Sequence, residues 1–335
     1  SSAAAPAFSV TSLLQTRAYH RLGHCEPMYS AWSGMLLLLA AVIYVDDTDL
    51  LVRARSRTMS DADFFNQIQA SLLAWGAVVM ATGGHLKQKK CKVSVVSFHF
   101  KKGIATIKPP SLLPMHSFVI PQHDSEPVPI PLLPPGEANE ALGTNVAANG
   151  DGKAQLAEIH RKGIEWTDRL STSRLKPIDR WLSLNIHLKP RICWNIVAVC
   201  GSPADVDASL TKVFTRALPY LKVNRKIRRT WVHLSHKYQG LGVFDINIER
   251  LSQKLFWIQR YWGYSGLEGE MLLHSFETFC IDLGFDGNPL ACSFQRFGHL
   301  ASNSWWKDLW ELLDHFDVRL EIDESLLFKH YRDGD

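Results

Sequence analysis

The sequence lacks several features that would assign it to a familiar class. It has no apolar run of the ~20 residues that span a bilayer. The longest such run, from Met35 to Val45, holds 11 residues. No charged and then apolar signal segment opens it, and it contains no phosphate-cradling P-loop, dinucleotide fingerprint or nucleophile elbow. These absences predict a soluble protein with no membrane partner.

Cysteine is also sparse, and its placement argues against two common uses. The sequence contains no C-x-x-C pair, so neither a zinc site built on cysteines nor a disulfide framework is expected. We therefore expect reduced thiols and an intracellular protein. The six cysteines are Cys25, Cys91, Cys193, Cys200, Cys280 and Cys292.

The composition is typical of globular domains. Apolar residues make up 46% of the 335 residues and charged residues 21%. At ~100–200 residues per domain, this length allows about two domains. Nine of the 16 prolines lie between Lys108 and Pro135, where they remove backbone donors. We predict that residues 108–153 form a disordered linker without a packed core, which separates residues 1–107 from residues 154–335.

The acidic residues near position 46 are predicted to lie at the tip of a β-hairpin. The apolar run Leu36–Val45 predicts one strand and Leu50–Val52 a second, with residues 46–49 as the turn. Two adjacent carboxylates at such a tip, Asp46 and Asp47, suit Mg²⁺, which usually takes one or two carboxylates together with substrate phosphates. A two-ion site for phosphoryl transfer would need one more carboxylate from elsewhere. The alternative is a polar turn that happens to contain two aspartates.

The rest of the first region predicts a helix followed by a second hairpin. Ser60 is a typical N-cap, apolar residues then recur at helical spacing, and Gly83-Gly84 end the helix. The β-branched run 93–98 and residues 104–107 are typical of strands. After the linker the periodicity is helical, with start signals at Ser202 and Asp245. The sequence therefore predicts an α+β fold with a mostly α-helical second region.

The net charge of +4 is small, but basic residues are concentrated in two segments. Six lysines and no acid lie in 85–102, and seven Lys or Arg and no acid lie in 212–229. Such segments are typical of proteins that bind a phosphate backbone, since each neutralised phosphate releases counterions, although solvated basic faces are an alternative. The residues predicted to bind a nucleic-acid backbone are Lys222, Arg225, Lys226, Arg228 and Arg229, with Tyr220 and Trp231 stacking on bases.

Two further patterns have structural interpretations. The groups His20, His24 and Cys25, and His233 with His236, have spacings compatible with metal ligation, but neither has a second pair nearby. We interpret these as ordinary histidines. The tryptophans at 305, 306 and 310 are predicted to belong to a core.

Four elements of the first region occur in the order of a known family. Tyr44-Val45-Asp46-Asp47 resembles the catalytic Tyr-x-Asp-Asp motif of reverse transcriptases. Upstream, Ala5-Pro6-Ala7-Phe8 resembles the end of the family's template- and nucleotide-contacting motif, although its leading glycine is absent. Downstream, residues 82–91 resemble the next motif in spacing, and the hairpin at 98–107 lies where the family has its primer grip. The sequence thus resembles reverse transcriptases of the non-LTR (LINE-like) retrotransposon group.

The resemblance implies a partial polymerase palm at residues 1–107 and a helical thumb-like domain at 154–335. It implies RNA-directed DNA polymerase activity in the intact parent, by two-metal nucleotidyl transfer. The implied partners are an RNA template, a DNA primer and deoxynucleoside triphosphates, the cofactor is Mg²⁺, and a nuclear location is expected. The family's first metal-binding aspartate precedes the proline motif and has no counterpart in this sequence. We therefore expect a C-terminal fragment or a degenerate copy that does not polymerise alone.

The resemblance also implies roles for individual residues. Asp46 and Asp47 would bind the metal ions and act in catalysis, and Lys90 would stabilise or protonate the leaving pyrophosphate. The nucleotide- and primer-binding positions would be Pro6, Phe8, Tyr44, Val45, Gly83 and Gly84. One alternative is a nucleic-acid-binding remnant in which the basic segments act and the carboxylates do not. Another is an unrelated globular protein with a chance motif.

Overall fold

The computed structural model describes residues 26–29, 36–39, 41–44, 47–56, 58–81, 83–84, 86–102, 104–120, 128–141, 143–285 and 287–323. For residues 26–29, 36–39, 41–44, 47–49, 101 and 104 it describes the backbone alone. These residues form two compact units, one with the described residues up to 141 and one with those from 143 onward. The first unit combines strands with one long helix and the second is mostly helical, in agreement with the predicted α+β class.

Short hairpins dominate the first unit. Its strands are β1 (Glu26–Tyr29), β2 (Leu36–Leu39), β3 (Ala41–Tyr44), β4 (Asp47–Leu50), β5 (Val93–Ser94), β6 (Phe98–Lys101), β7 (Ile104–Ile107), β8 (Phe118–Val119), β9 (Pro129–Ile130), β10 (Leu132–Leu133) and β11 (Ala138–Ala141). It also has 3₁₀ turns at Gln88–Lys90 and Pro110–Leu112. The pairs β1 with β2, β3 with β4, β6 with β7 and β8 with β9 are antiparallel, whereas β5 and β10 are parallel. The predicted hairpin at 98–107 is confirmed.

The acidic hairpin is present, with a tighter connection than predicted. The register of β3 and β4 pairs Tyr44 with Asp47. Asp47 is therefore a strand residue, and only Val45 and Asp46 separate the two strands. Two-residue connections are the commonest in antiparallel hairpins because their twist matches that of the strands, which favours this register over a four-residue turn. The single strand predicted at 36–45 is divided, since β2 pairs with β1.

One helix of 21 residues, α1 (Asp61–Ala81), contributes buried residues to the first unit. As predicted, Ser60 caps it, because its Oγ accepts a hydrogen bond from the Asp63 N–H at 3.1 Å. Its residues Phe65 and Ile68 are buried in the core of the unit. Among the described residues, α1 is the one helix whose length and apolar composition would let it cross a membrane.

Part of the stretch 108–153, predicted to be a linker without a packed core, belongs to the core of the first unit. Phe118 and Ile130 are buried against α1 and β5 residues. The prolines do not prevent this, because a proline lacks only the N–H donor and its carbonyl still accepts. The Val93 N–H donates to the Pro131 carbonyl oxygen at 3.1 Å. The apolar residues between the prolines are thus able to enter the core.

Asp61, in the first turn of α1, is held by two donors. The Lys108 Nζ lies 2.5 Å from Asp61 Oδ2, and the Ser97 Oγ donates to Asp61 Oδ1 at 2.8 Å. The hydrogen bond from Lys108, foremost, and that from Ser97 hold the pKa of the Asp61 carboxyl below its usual value of 3.8, although burial opposes them. The ionised carboxylate therefore stabilises the fold above pH 3.8, and this contribution is lost as the pH falls through the lower native pKa.

We expect Lys108→Met to raise the pKa of Asp61 toward its usual value. The free energy of unfolding at neutral pH should fall by about 0.5–1 kcal/mol, a value kept small because both side chains are partly exposed. Carboxyl-detected NMR titration measures the pKa directly. Lys92→Met, which removes an exposed lysine of the same unit, is the control and should leave Asp61 unchanged. An Asp61 pKa that does not move in Lys108→Met would contradict the pairing.

The second unit is built from helices. They are α2 (Lys153–Thr172), α3 (Pro177–Ser183), α4 (Lys189–Cys193), α5 (Pro203–Ala217), α6 (Arg229–His233), α7 (Ile246–Tyr261), α8 (Leu267–Leu283), α9 (Phe294–Phe297) and α10 (Trp305–His315). A strand, β12 (Thr144–Ala147), precedes α2, a π-helical turn (Leu184–Leu188) joins α3 to α4, and 3₁₀ turns lie at Ile196–Ala198, His236–Tyr238, Pro289–Ala291 and Gly298–Leu300. Helix α2 begins at the last residue of the predicted linker.

The predicted start signals in this unit are confirmed. The Ser202 Oγ accepts a hydrogen bond from the Asp205 N–H at 3.2 Å and so caps α5. The Asp245 Oδ1 accepts from the Asn247 N–H at 2.9 Å and caps α7.

Two buried clusters form the core of the second unit. One lies around α2 and α5 and includes Leu210 and Val213. The other lies around α7, α8 and α10 and includes Trp306 and Trp310, with Trp305 partly buried beside it. The prediction that these tryptophans belong to a core is confirmed.

Candidate functional site

The predicted metal ligands are described only in part. Tyr44 and Asp47 are Cα partners across the β3–β4 hairpin, and their side chains are not described. The predicted positions that lie outside the described residues are Pro6, Phe8, Val45 and Asp46. Within the described residues, no group of three or more His, Cys, Asp or Glu side chains is placed to hold a metal ion. The metal site stays a prediction that depends on the hairpin alone.

Gly83 and Gly84 end helix α1 as predicted. Gly83 has φ of +76°, in the left-handed region that favours glycine. The Gly84 N–H donates to the Val79 carbonyl oxygen at 2.9 Å and the Gly83 N–H to that of Met80 at 3.0 Å. This pair of bonds is the Schellman arrangement. Helix capping accounts for both glycines, and their contact with a nucleotide stays a prediction.

Lys90 is exposed at the end of the 3₁₀ turn Gln88–Lys90. The buried Gln88 side chain anchors this turn by donating from Nε2 to the Ile120 carbonyl oxygen. The Lys90 N–H donates to the Lys87 carbonyl oxygen at 2.8 Å. A fixed backbone thus presents the Lys90 amine at the surface of the first unit. Since Asp46 lies outside the described residues, its position relative to Lys90 stays a prediction.

The basic loop after α5 (residues 218–229) presents most of its charges to solvent. The exposed residues among those predicted to bind a nucleic-acid backbone are Lys222, Arg225, Lys226 and Arg228. Asn224 shapes the loop, because its Oδ1 accepts a hydrogen bond from the Lys226 N–H at 2.8 Å. The Ile227 N–H also donates to the Asn224 carbonyl oxygen at 3.2 Å. Local hydrogen bonds therefore fix the backbone that presents these four cations.

Arg229 differs from the other four because it is half-buried against α5. Its Nη2 donates to the Thr215 Oγ1 and to the Thr211 carbonyl oxygen, the latter at 3.3 Å. Its Nη1 is buried and has no hydrogen-bond partner among the described residues. Arg229 thus ties the start of α6 to the outer face of α5.

A cleft of about 310 Å³ lies next to the hydrogen bonds between Arg229 and α5. Its lining residues are Thr211, Lys212, Thr215, Arg216 and Arg225. In the sequence, Thr211 and Thr215 are four residues apart, and so are Lys212 and Arg216. This i, i+4 spacing predicts that all four lie on one face of α5. A charge count along the chain does not reveal that Arg225 joins them. Arg216 also forms an ion pair with Asp168 of α2.

The two aromatic residues predicted to stack on bases differ in exposure. Trp231 is 46% exposed. Tyr220 is half-buried and packs against the core of the second unit. Trp231 is therefore the more accessible to a base.

His233 and His236 each have a backbone partner. The His233 Nδ1 lies 3.2 Å from the Val243 carbonyl oxygen, and the His236 Nδ1 lies 3.1 Å from that of Gly240. These contacts agree with their interpretation as ordinary histidines. The group His20, His24 and Cys25 lies outside the described residues.

A buried ion cluster in the second unit has no counterpart among the sequence predictions. Arg250 and Lys254 of α7 are fully buried and face Asp308 of α10, which is 5% exposed. The Arg250 Nε and the Lys254 Nζ each lie 3.2 Å from Asp308 Oδ2. The Lys254 amine also lies 4.2 Å from the centre of the Trp305 ring, and burial lowers its pKa. The Gly201 N–H donates to Asp308 Oδ1 at 2.8 Å, so one carboxylate links three chain segments.

Comparison of this chain with models of protein families, with curated proteins and with solved structures finds no match.

Proposed function

We propose that this chain is part of a reverse transcriptase in which β3 and β4 form the catalytic hairpin. The supporting observation is the register that pairs Tyr44 with Asp47. In this register the Tyr-x-Asp-Asp motif spans a two-residue connection, with the tyrosine ending one strand and the second aspartate beginning the next. A hairpin turn is a position where adjacent carboxylates are able to reach one ion. The Gly-Gly turn, Lys90 and the 98–107 hairpin follow in the order that the resemblance implies.

The donor set of the hairpin fits Mg²⁺ by its chemistry. Asp46 and Asp47 supply hard carboxylate oxygens, and Mg²⁺ is commonly held by one or two carboxylates plus substrate phosphates. These two residues would hold the ion, and the ion would neutralise charge on the phosphates of a nucleotide. A second ion would need a further carboxylate. Lys90 would add a positive charge beside the leaving pyrophosphate.

We expect Asp46→Asn to abolish measurable Mg²⁺ or Mn²⁺ binding by the folded chain. Loss of a direct ligand should weaken binding more than the ~10–100-fold that loss of an outer-shell partner costs. Isothermal titration with Mg²⁺ and line broadening by Mn²⁺ measure this. Asp49→Asn, in the same hairpin but outside the motif, is the control with the same change of charge. Metal binding that survives Asp46→Asn, or that Asp49→Asn abolishes equally, would contradict the catalytic hairpin.

A second candidate function is nucleic-acid binding without metal chemistry. It is favoured by the four exposed cations of the basic loop and by the absence of acidic residues from 212 to 229. Cations that neutralise phosphates make binding weaken linearly with the logarithm of salt concentration. The Asp46→Asn protein separates the two candidates. Salt-sensitive RNA binding by a chain without a metal site would favour the second candidate over the first.

A further inference from the structure

One helical segment of the second unit is apolar on two opposite faces. It runs from α3 through the π-helical turn and α4 to Trp194, whose backbone is still helical. Its inner face carries Leu184, Leu188 and Ile192, each at most 2% exposed, which belong to the core around α2 and α5. A surface helix needs only one apolar face, and a second one is normally covered by another element.

The second apolar face is a row of exposed side chains spaced four residues apart, which we call the outer row. Side chains at i and i+4 are neighbours on a helix surface. Five of them in succession make an apolar patch of roughly 300–600 Å², a size that on a monomer is often functional. The members are Ile178 (71% exposed), Leu182 (54%), Ile186 (55%), Pro190 (also exposed) and Trp194 (77%).

The π-helical turn keeps the outer row on one face. In an α-helix, residues four apart advance by about 40° around the axis, so the row would turn by about 160° between Ile178 and Trp194. The Lys189 N–H instead donates to the carbonyl oxygen of Leu184, five residues back, and this wider turn removes about 100° of the rotation. Pro190 favours it, because proline has no N–H for the carbonyl four residues earlier. Such turns within α-helices are frequent at functional sites.

The N-terminal end of the outer row is positively charged. Arg174 and Lys176 are exposed and have no ion pair among the described residues. Arg180 is a third cation, and its guanidinium bonds backbone carbonyl oxygens rather than an acid. Asp179 is the one acid in the sequence from 173 to 191. The cations of α4, at the other end, are already paired with acids of α2 and α7.

We infer that the outer row binds an amphipathic helix of a partner protein, with acidic residues at the end that meets Arg174 and Lys176. Rows of side chains four residues apart are the ridges that pack into the grooves of a neighbouring helix. The charge of the row selects an acidic partner. A second copy of this chain matches less well, because its row carries the same excess of positive charge and a stable interface buries about 800 Å² per partner.

A peptide probe tests the inference on the full chain. The probe is a fluorescent amphipathic peptide with leucines at i, i+4 spacing and glutamates beside them, and the control peptide has the same composition with the leucine row broken. Fluorescence anisotropy should detect binding of the probe alone. Leu182→Ser and Ile186→Ser should each weaken it about tenfold, since each removes a side chain that the partner buries. Ile281→Ser, at an exposed position of α8, should leave it unchanged.

A charge reversal tests the acidic character of the partner. Lys176→Glu should weaken binding of the glutamate probe by about threefold to fivefold at low salt and strengthen binding of a probe with lysines in place of the glutamates. Lys237→Glu, at an exposed lysine outside the row, is the control and should change neither affinity. Circular dichroism verifies that each variant keeps the fold. A glutamate probe that does not bind, or that binds Leu182→Ser as tightly as the wild type, would overturn the inference.

Three further measurements identify other occupants of the outer row. Dimerisation in sedimentation velocity that Ile186→Ser abolishes would assign the row to a second copy and overturn the inference. Binding to phosphatidylserine vesicles that Leu182→Ser abolishes, without binding of the probe, would assign it to a membrane surface and overturn it equally. RNA binding should be the same in Leu182→Ser and the wild type. RNA affinity that falls with probe affinity would assign the row to the nucleic acid, whereas a chain that binds the probe and no RNA would support the inference without the proposed function.

Discussion

Asp308→Ala is expected to lower the free energy of unfolding of the second unit by about 3–5 kcal/mol. The carboxylate is the common partner of Arg250 and Lys254, which are both fully buried. Removing it leaves two buried cations without their counterion, and the cost of an uncompensated buried charge is much larger than the net gain from forming a pair. The Gly201 N–H before α5 loses its acceptor as well. The whole junction between α5, α7 and α10 should weaken.

Lys254→Met is the matched variant and should change stability by no more than about 1 kcal/mol. It leaves the hydrogen-bonded pair of Arg250 and Asp308 intact. It also removes an amine whose pKa is lowered by burial, and methionine retains most of the side-chain volume beside Trp305. Hydrogen exchange of the α7 and α10 amides at increasing urea concentration measures the free energy of unfolding of the second unit alone, in both variants. If the two substitutions proved equally mild, Asp308 would not be the counterion that the geometry indicates.

This cluster illustrates what a sequence pattern leaves out. Arg250 and Asp308 are 58 residues apart, and each is an ordinary charged residue of an amphipathic helix when seen along the chain. Their meeting depends on how α7 packs on α10, which no local spacing encodes. The tie from Arg229 to Thr215, across 14 residues, escapes sequence analysis for the same reason. Burial turns these residues into partners, and burial is a property of the tertiary structure.

The features that the sequence does predict depend on short-range physics. Ser60, Ser202 and Asp245 cap helices because a side-chain oxygen reaches an N–H two or three residues away. The β3–β4 hairpin follows from apolar runs on either side of polar residues, although this pattern predicts a four-residue turn and not the observed two-residue connection. Of the candidate site, the pattern identifies the motif at 44–47 and the exposure of the basic loop. It does not identify the contribution of the α5 face to the cleft.

The described residues of the proline-rich stretch, 118–120 and 128–133, show how composition misleads. A high proline content lowers the expectation of secondary structure, yet β5 and β10, about 40 residues apart in the chain, pair in parallel. The pairing forms because the Pro131 carbonyl remains an acceptor and the apolar side chains beside it are buried. The proline content of a segment reflects the backbone N–H donors that it lacks. It does not count the apolar area that the intervening residues bring to a core.

Phe118→Ala is expected to lower the free energy of unfolding of the first unit by about 3–5 kcal/mol, although the residue lies in the proline-rich stretch. The side chain is 0% exposed, and its ring centre lies 5.4 Å from that of Phe65 in α1 and 4.6 Å from that of His116. Removing the ring leaves a cavity between α1 and the β8–β9 hairpin. A residue of a disordered linker would contribute nothing here. The measured decrease in the free energy of unfolding therefore tests whether this stretch is part of the core.

Met115→Ala, three residues earlier and fully exposed, is the control and should change stability by less than about 0.5 kcal/mol. Hydrogen exchange of the α1 amides measures both variants in the first unit without interference from the second. Phe118→Ala should accelerate exchange along the buried face of α1, since the helix loses the ring that packs against Phe65, whereas Met115→Ala should not. If the α1 amides exchanged at the same rate in both variants, the stretch around Phe118 would not belong to the core. Residues other than Phe118 would then stabilise α1.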